Sequence, residues 1–447
     1  MNLEKMKQKI ANKSIVVGII GLGYVGLPLA IEFAKSGLHV IGFDIDETKV
    51  NSLNCGKSHI LDVSTKDVSD MYKAGNFKAT TDFKLLESVD AISICVPTPL
   101  TKSQEPDMSY IIESTNQIRN YMKKGVLITL ESTTYPGTTE ELLQTPLEDD
   151  GYFAGKDYFL CYSPERVDPG NPYYNTKNTP KIIGGATSNC VEVGSLLYGQ
   201  VINKMHAVTS TKTAEMTKLL ENTFRSINIA FINEMALLCD SLGMNIWEVI
   251  AAAETKPFGY MKFSPGPGIG GHCIPLDPMY LSWKAKESNF YSRFIDLAQE
   301  LNNKMPDAVV AKTSEALNQQ FKSLRGSKII LLGVAYKQDI DDVRESPALD
   351  IYELLKSSGV EVSYYDPHVK RFINQSGETV YSEKEMDTSL YDATLLITNH
   401  QEIDTLRAFN DSHLFIDTRN ALDKVKDDKL FRIGEGSLPI NKECVFV

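Results

Sequence analysis

No stretch of this chain reaches eighteen uninterrupted apolar residues, so no membrane-spanning helix is expected. Cys-x-x-Cys pairs and zinc-type spacings are absent and the seven cysteines are an odd number, so reduced thiols in a cytoplasmic compartment are expected. A basic excess is also missing. The 58 acidic and 46 basic side chains leave a formal charge of −12, which argues against a surface built for nucleic acid or anionic lipid. Lys5, Lys7, Lys9 and Lys13 precede an apolar run at 15–20, but that run is too short and glycine-broken for a signal or anchor. What is there is an ordinary globular composition, 42% hydrophobic over 447 residues, with room for about three domains.

The stretch richest in chemistry is 266–278, GPGIGGHCIPLDP, where four glycines and three prolines impose an irregular backbone around Cys273. Gly268, Gly270 and Gly271 permit positive φ and close approach of the main chain to a ligand, and Pro275 suits the opening of a helix over 276–286. Cys273 is then expected at a helix N-terminus, where N–H groups and the helix dipole favour thiolate and draw the pKa below its usual ~8.5. That setting marks Cys273 as a nucleophile. Cys55, Cys95, Cys161, Cys190, Cys239 and Cys444 lack it and read as small hydrophobes. His272, Cys273 and Asp277 lie close together but have no partner cluster, so no metal site is expected.

The chain opens with a β-branched apolar run at 14–20, then GLGYVG and a helical pattern through Lys35, which is strand, phosphate loop and helix. Gly21 permits the tight turn, Gly23 lets the backbone approach a pyrophosphate, and Gly26 lets helix and strand pack closely. A second strand at 39–43 delivers Asp44 at the position where an acid meets the adenosine ribose. Its carboxylate accepts from the ribose hydroxyls and repels a 2′-phosphate, so NAD is expected rather than NADP. Strands at 91–96 and 126–131 run into Pro97-Thr98-Pro99 and Ser132-Thr133-Thr134. Ligands lie beyond strand carboxyl ends in open α/β sheets, so Thr98 and Thr133 either meet the nicotinamide side or cap the following helices. A strand at 158–162 leads into Ser163-Pro164-Glu165-Arg166.

A long helix over 210–242 carries Ala214, Leu220, Ile227, Phe231 and Leu238 on an apolar face, with Gly243 as its stop. Lys218 and Asn222 are four apart and share a face, pointing either into a cleft or to solvent. A second helix at 246–253 precedes the cysteine loop. The opening grammar then repeats: strand 327–333, helix 349–356, a Ser357-Ser358-Gly359 stop, and strand 361–366 ending in an acid. AKSGLHVIGFD has its counterpart in LKSSGVEVSYYD, and Asp90-Ala91-Ile92 in Asp392-Ala393-Thr394. The glycine fingerprint is replaced by GVAYKQDIDDVRESPA, where Lys337 and Arg344 supply fixed positive charge. The expected fold is α/β, two Rossmann-like doubly wound domains joined by a long central helix and helical domain. Residues 1–209 bind the dinucleotide, 210–322 carry the cysteine loop, and 323–447 either bind a nucleotide or phosphate by other means or duplicate the fold without a ligand.

GLGYVG, CVPTP, ESTTYPGTT, SPERVDPG, the helix with Lys218 and Asn222, GGHCIPLDP and YKQDIDDVRESPA, in that order across nearly the whole chain, resemble the UDP-glucose/GDP-mannose dehydrogenase family. Within it, GPGIGGHCIPLDPMYLSWKAKE looks more like the bacterial and archaeal UDP-N-acetylglucosamine 6-dehydrogenases than like the GGSC loop of UDP-glucose enzymes. The resemblance implies oxidation of a sugar C6 alcohol to a carboxylate with reduction of two NAD. It also implies a homodimer or higher homo-oligomer with the central helix in its core, and a UDP-sugar bound by 323–447. It makes Cys273 the nucleophile, with Lys218, Asn222 and Asp277 as polar helpers and Glu165 serving hydrolysis of the thioester. Thr133 is matched at the cofactor and catalytic water, Arg344 at the NAD pyrophosphate, and Lys337, Gly270, Lys218 and Asn222 at the substrate.

The chemistry needs a nucleophile, because an aldehyde cannot yield hydride until something adds to its carbonyl. Residues 255–264, TKPFGYMKFS, depart from the arginine-bearing loop with which UDP-glucose enzymes reach a neighbouring subunit's sugar; Lys256 and Lys262 are the cations offered instead. The sugar is therefore open among UDP-N-acetylglucosamine, its galacto and manno epimers, and UDP-glucose. A two-electron hydroxyacid-type dehydrogenase would share the glycine-rich domain and a helix-borne Lys and Asn, but has no use for Cys273 or a second nucleotide domain. A non-catalytic sensor would keep the folds without needing Cys273 and Lys218 together. Replacing Asp44 by Ala is expected to weaken NAD use and narrow the preference over NADP, measured as the ratio of kcat/KM for the two cofactors. A wild type that already prefers NADP contradicts the ribose assignment.

Overall fold

The computed structural model describes residues 3–60, 63–101, 105–168, 171, 173–271 and 273–436; His272 and Cys444 lie outside the described residues. The chain divides into two compact units, Met1–Glu221 with Met279–Phe290, and Asn222–Pro278 with Tyr291–Val447.

In the first unit the strands are β1 (Val16–Ile20), β2 (His39–Phe43), β3 (Phe77–Thr80), β4 (Ala91–Ile94), β5 (Leu127–Leu130), β6 (Phe159–Tyr162), β7 (Lys181–Gly185) and β8 (Met205–Val208). They lie in the order β3-β2-β1-β4-β5-β6-β7-β8, all neighbours parallel except β6 and β7. The inner strands are largely apolar because both faces are covered, whereas the edge strands β3 and β8 carry exposed residues. Val17, Ile19 and Val40 pack with Leu27, Leu29 and Phe33 on one side. On the other, Ile20, Ile41, Phe43, Ile92 and Ile94 pack with Ile111 and Ile118.

The second unit holds β9 (Lys328–Leu332), β10 (Glu361–Tyr365), an antiparallel hairpin of β11 (Arg371–Ile373) and β12 (Thr379–Tyr381), then β13 (Ala393–Leu396), β14 (Phe415–Asp417) and β15 (Leu430–Arg432). Its parallel sheet runs β10-β9-β13-β14-β15. Here too alternate residues feed opposite faces, Ile329 and Leu331 toward Ile351 and Leu355, Ile330 and Leu332 toward Leu396 and Phe415.

The repeat seen in sequence is a repeat of hydrogen bonds. Gly21 (φ +90°) donates its N–H to Phe43 at 2.8 Å, and Gly333 (φ +77°) donates to Tyr365 at 2.9 Å. A Cβ at either would stand 2.7 Å from the Cys95 carbonyl oxygen or 2.1 Å from that of Thr398, so only glycine fits. Leu22 N–H donates to Asp44 and Val334 N–H to Asp366, while Asp90 accepts from Val16 and Asp392 from Lys328.

The copies diverge at the second-strand acid. Asp44 accepts from the N–H groups of Leu22 and Asp46. Asp366 accepts from the N–H groups of Val334, Ala335, His368 and Val369, and from His400 Nε2 at 3.1 Å. Its carboxylate is consumed by the protein.

The central helix is Thr211–Leu242, followed by Ile246–Glu254. Ala214 is fully buried, but Leu220, Phe231 and Leu238 of the same predicted face are exposed by 58%, 55% and 47%. Leu3–Ala11 forms a helix ahead of β1, and among the described residues no helix is long and apolar enough to cross a membrane.

Burial alone would raise the Asp366 pKa, but the bonds from His400 and the backbone hold it below the ordinary aspartate value. A lowered folded value contributes stability that is present above the unfolded pKa and lost as pH falls through the folded one. Asp366→Asn is accordingly expected to cost on the order of 3 kcal/mol at neutral pH by urea denaturation. The gap to wild type should close below about pH 4; a gap independent of pH would contradict the charged-carboxylate account.

Candidate active site

The phosphate loop of the first unit is shaped for an anion. Gly26 packs where a Cβ would fall 1.8 Å from the Gly21 carbonyl oxygen, bringing helix Gly26–Lys35 against β1. A Cβ at Gly23 would meet nothing within 4 Å, leaving open space above the loop, and Val25 at the helix start has no side-chain cap. A helix N-terminus without an internal acceptor favours a phosphate. Asp44 follows β2 directly and is buried, its carboxylate held toward the loop through Leu22 N–H. These residues fit a dinucleotide: room at Gly23, donors at the helix start and an acid for the ribose.

Thr98 and Thr133 follow β4 and β5. Helix Ser109–Tyr121 begins at Met108 without a side-chain cap, and Thr139–Gln144 likewise at Thr138, so neither threonine is a helix cap. Thr98 is buried, and its carbonyl accepts the hydroxyl of Tyr280. Glu165, after β6, turns Oε1 to the N–H groups of Arg166 and Val167, both at 2.8 Å. Lys218 is buried on the central helix.

In the second unit the cysteine loop forms the entry to helix Asp277–Glu287, one residue later than the sequence pattern suggested. The Cys273 carbonyl accepts the N–H groups of Leu276 at 3.2 Å and Asp277 at 2.8 Å, so Cys273 stands at the first turn, with an exposed thiol. Asn222 Nδ2 donates to Asp277 Oδ2 at 2.6 Å, joining two of the expected helpers. Of the three glycines, Gly268 (φ +133°) and Gly271 (φ +89°) have the left-handed backbone. The close neighbour at Gly270 is the protein itself: a Cβ there would stand 2.6 Å from Tyr336 Cβ and 2.7 Å from the Glu345 carbonyl oxygen. Gly271 N–H donates to the Arg344 carbonyl at 3.0 Å. The loop carrying Lys337 and Arg344 is thereby pinned to the cysteine loop. Lys337 is half-buried, and the exposed Arg344 guanidinium forms a two-pronged pair with Asp342 at 2.6 and 3.0 Å.

The other described cysteines differ from Cys273. Cys95, Cys161, Cys190 and Cys239 are buried, and burial pushes the thiol pKa of Cys95 and Cys161 well up; Cys55 is exposed but lies on no such loop. Asp339, His368 and His400 bring ligand-type atoms within 4.8 Å of one another. The His400 Nδ1 lone pair there accepts Asp339 N–H at 2.9 Å, and Nε2 faces Asp366, so both nitrogens are engaged.

Two residues escaped the sequence reading. Arg419, just past β14, donates Nε to the Ile397 carbonyl at 2.7 Å and brings Nη1 within 2.8 Å of where a Gly266 Cβ would be. Burial pulls its pKa down to about 10. The strand-end rule that singled out Thr98 and Thr133 applies equally to the DTRN sequence after β14 and would have found it. Lys181, a lysine opening the apolar run KIIGG, is buried with its ammonium 3.8 Å from Glu165.

Comparison with known proteins covers the whole of this arrangement. Residues 15–202 match the NAD binding domain of the UDP-glucose/GDP-mannose dehydrogenase family, 212–304 its central domain and 330–424 its UDP binding domain. A UDP-N-acetyl-D-mannosamine dehydrogenase of Pyrococcus horikoshii is 34% identical over 94% of this chain and 100% of its own length. A UDP-N-acetyl-D-glucosamine 6-dehydrogenase of Pseudomonas aeruginosa is 33% identical over 93% and 99%. The solved structure of a UDP-D-ManNAc dehydrogenase from Pyrococcus horikoshii superposes with a TM-score of 0.86 at 32% identity, over 95% of this chain and 100% of that one. With all three domains matched in order, a dinucleotide loop in the first unit and an exposed cysteine at a helix entry in the second, the chain belongs to the UDP-glucose/GDP-mannose dehydrogenase family and is an NAD-dependent oxidoreductase with a UDP-binding domain.

Proposed function

We propose that the protein oxidises the C6 hydroxyl of UDP-N-acetylglucosamine to the carboxylate in four electrons, through a covalent intermediate on Cys273. The observation that carries this reading is the exposed Cys273 thiol at the start of helix Asp277–Glu287, with Asn222 bonded to Asp277 at 2.6 Å. UDP-N-acetylmannosamine is the second reading, favoured by relatives of that name. The two sugars differ at C2 and share the C6 chemistry.

The proposed division of labour has three parts: 1–209 for NAD, 210–322 for the cysteine loop and dimer contact, and 323–447 for the UDP-sugar. Bound NAD accepts hydride. Gly21, Gly23 and Gly26 shape the loop for its pyrophosphate together with Arg344, Asp44 selects the unphosphorylated ribose, and Thr98 and Thr133 contact the nicotinamide side. Lys337 and Gly270 hold the substrate, and the half-buried charge of Arg419 suits the UDP phosphates.

Lys218 and Asp277 serve removal of the alcohol proton in the first oxidation. Cys273 sulfur then bonds to the aldehyde carbon, and Lys218 and Asn222 donate to the tetrahedral oxygen. Collapse of this thiohemiacetal releases the second hydride and leaves a thioester. Glu165 takes a proton from the water that cleaves it.

The exposed stripe Leu220, Phe224, Phe231, Leu238 and Leu242 on the central helix supports a second copy of the chain as partner, and the reduced cysteines support a cytoplasmic setting. By size-exclusion chromatography with light scattering, Phe231→Glu is expected to shift a dimer toward monomer; an unchanged mass contradicts this face.

Incubating purified protein and NAD with UDP-N-acetylglucosamine, UDP-N-acetylmannosamine, UDP-N-acetylgalactosamine and UDP-glucose, with absorbance followed at the reduced-nicotinamide band, tests the substrate. Cys273→Ala is expected to lower overall turnover at least ~10³-fold, and Lys218→Ala to slow both oxidations by about 3 to 4 kcal/mol of barrier. Near wild-type turnover in Cys273→Ala would remove the nucleophile.

A further inference from the structure

One buried charge cluster, centred on Lys181 and Glu131 and reaching Glu165, has only that last residue in the steps above. Lys181 opens β7 with a side chain 6% exposed, and its ammonium donates to Glu131 Oε2 at 2.8 Å and to the Pro164 carbonyl at 3.3 Å. Glu165 Oε2 lies 3.8 Å away. Glu131, directly after β5, is wholly buried, and its Oε1 accepts the hydroxyl of Tyr198. The Tyr198 oxygen in turn takes the Ser93 hydroxyl at 2.8 Å, and its ring faces the ammonium at 5.5 Å. The connection Ser93, Tyr198, Glu131, Lys181, Glu165 thus crosses strands β4, β5 and β7 and ends on the SPER loop.

Stability alone does not account for it. Apolar side chains of the same volume often replace a buried ion pair without loss, whereas removing one partner strands a charge. Here two carboxylates face one ammonium. Burial drives the Glu131 pKa up against the pull of Lys181; burial would lower that of Lys181, but Glu131 and Glu165 raise it.

We propose that Lys181 is a positioning residue for Glu165. The proposal rests on the reading of Glu165 as the base that hydrolyses the thioester. Glu165 Oε1 is committed to two backbone N–H groups, which turns Oε2 toward the ammonium. Because the short bond of Lys181 goes to Glu131, the ammonium is held off from a contact pair, and Oε2 keeps lone pairs for water. Tyr198 fixes Glu131, and Glu131 fixes the lysine. In the step served, the water oxygen bonds to the thioester carbon, its proton passes to Glu165, and the C–S bond breaks with its electron pair going to Cys273 sulfur. No electrons change hands.

The test is intact-protein mass and rapid-mixing absorbance with NAD and UDP-N-acetylglucosamine or UDP-N-acetylmannosamine, whichever the wild type oxidises. Lys181→Met is expected to retain a burst of two NADH per subunit, to accumulate a covalent adduct on Cys273, and to fall about 10²-fold in kcat with kcat/KM little changed, because KM falls with the slowed hydrolysis. Lys181→Arg should recover much of the loss. Glu131→Gln, nearly isosteric, serves if Lys181→Met does not fold, and should lower kcat at least ~10-fold with the same adduct. Glu165→Gln is the control. If it accumulates adduct while Lys181→Met and Glu131→Gln turn over normally, the positioning role is overturned. If Glu165→Gln itself shows no adduct, the reading of Glu165 fails and the proposal with it. Loss of the burst in Lys181→Met, with no recovery in Lys181→Arg, marks a merely structural lysine and also overturns the proposal.

Discussion

The backbone contact between the cysteine loop and the segment Tyr336 to Pro347 sets where the thiol stands. A Cβ on Gly270 would be 2.6 Å from Tyr336 Cβ, and one on Gly271 2.7 Å from the Tyr336 ring, so the main chain lies where side chains ordinarily would. The Gly271 N–H to Arg344 carbonyl bond closes that contact. The chain is then delivered to Cys273, whose carbonyl takes the first N–H groups of the next helix, and Asp277 in that first turn is fixed by Asn222. Thiol position, helix entry and polar helper are consequences of one close approach that glycine permits. It also ties the cysteine to the loop bearing Lys337 and Arg344, so the proposed nucleophile and the cations proposed for phosphate lie on adjoining loops.

The two α/β repeats are specialised by how they use one acid. In both, the acid ending the second strand accepts the N–H that follows the first-strand glycine. Asp44 takes two backbone bonds, retaining lone-pair capacity that hydroxyls can use, whereas Asp366 takes four backbone bonds and His400. The second repeat has thereby lost a ribose acceptor and kept a structural anchor. Its positive charges at Lys337 and Arg419 then carry recognition of the nucleotide diphosphate in the proposed division of labour, in which Arg344 serves the NAD pyrophosphate.

Legibility in the sequence followed the physics of each feature. Strands buried on both faces leave nearly unbroken apolar runs, so β1, β2 and β9 lie within a residue or two of where those runs fall, and β10, a half-exposed edge strand, was found by its likeness to β2. Gly21, a glycine with a steric reason, announced its turn, whereas Gly333, which has the same reason, was read only as the end of its strand. The paired Asp90 and Asp392 were visible as aligned letters, though their role in holding Val16 and Lys328 was not. Periodicity marked an apolar face on the central helix but not what covers it, which is why Leu220, Phe231 and Leu238 prove exposed. Lys181 was invisible because its partners, Glu131 and Tyr198, come from β5's end and helix Ser188–Tyr198, distances in sequence that spacing cannot bridge.

The proposed reaction carries a sugar alcohol through two oxidations on one cysteine. It is tested most directly by the ratio of NADH formed to UDP-sugar consumed, with excess NAD and a trap for free aldehyde in solution. A ratio of two, a carboxylate product and no trapped aldehyde are expected. A ratio of one with aldehyde in the trap would contradict it, leaving a two-electron dehydrogenase in which Cys273 is not the nucleophile.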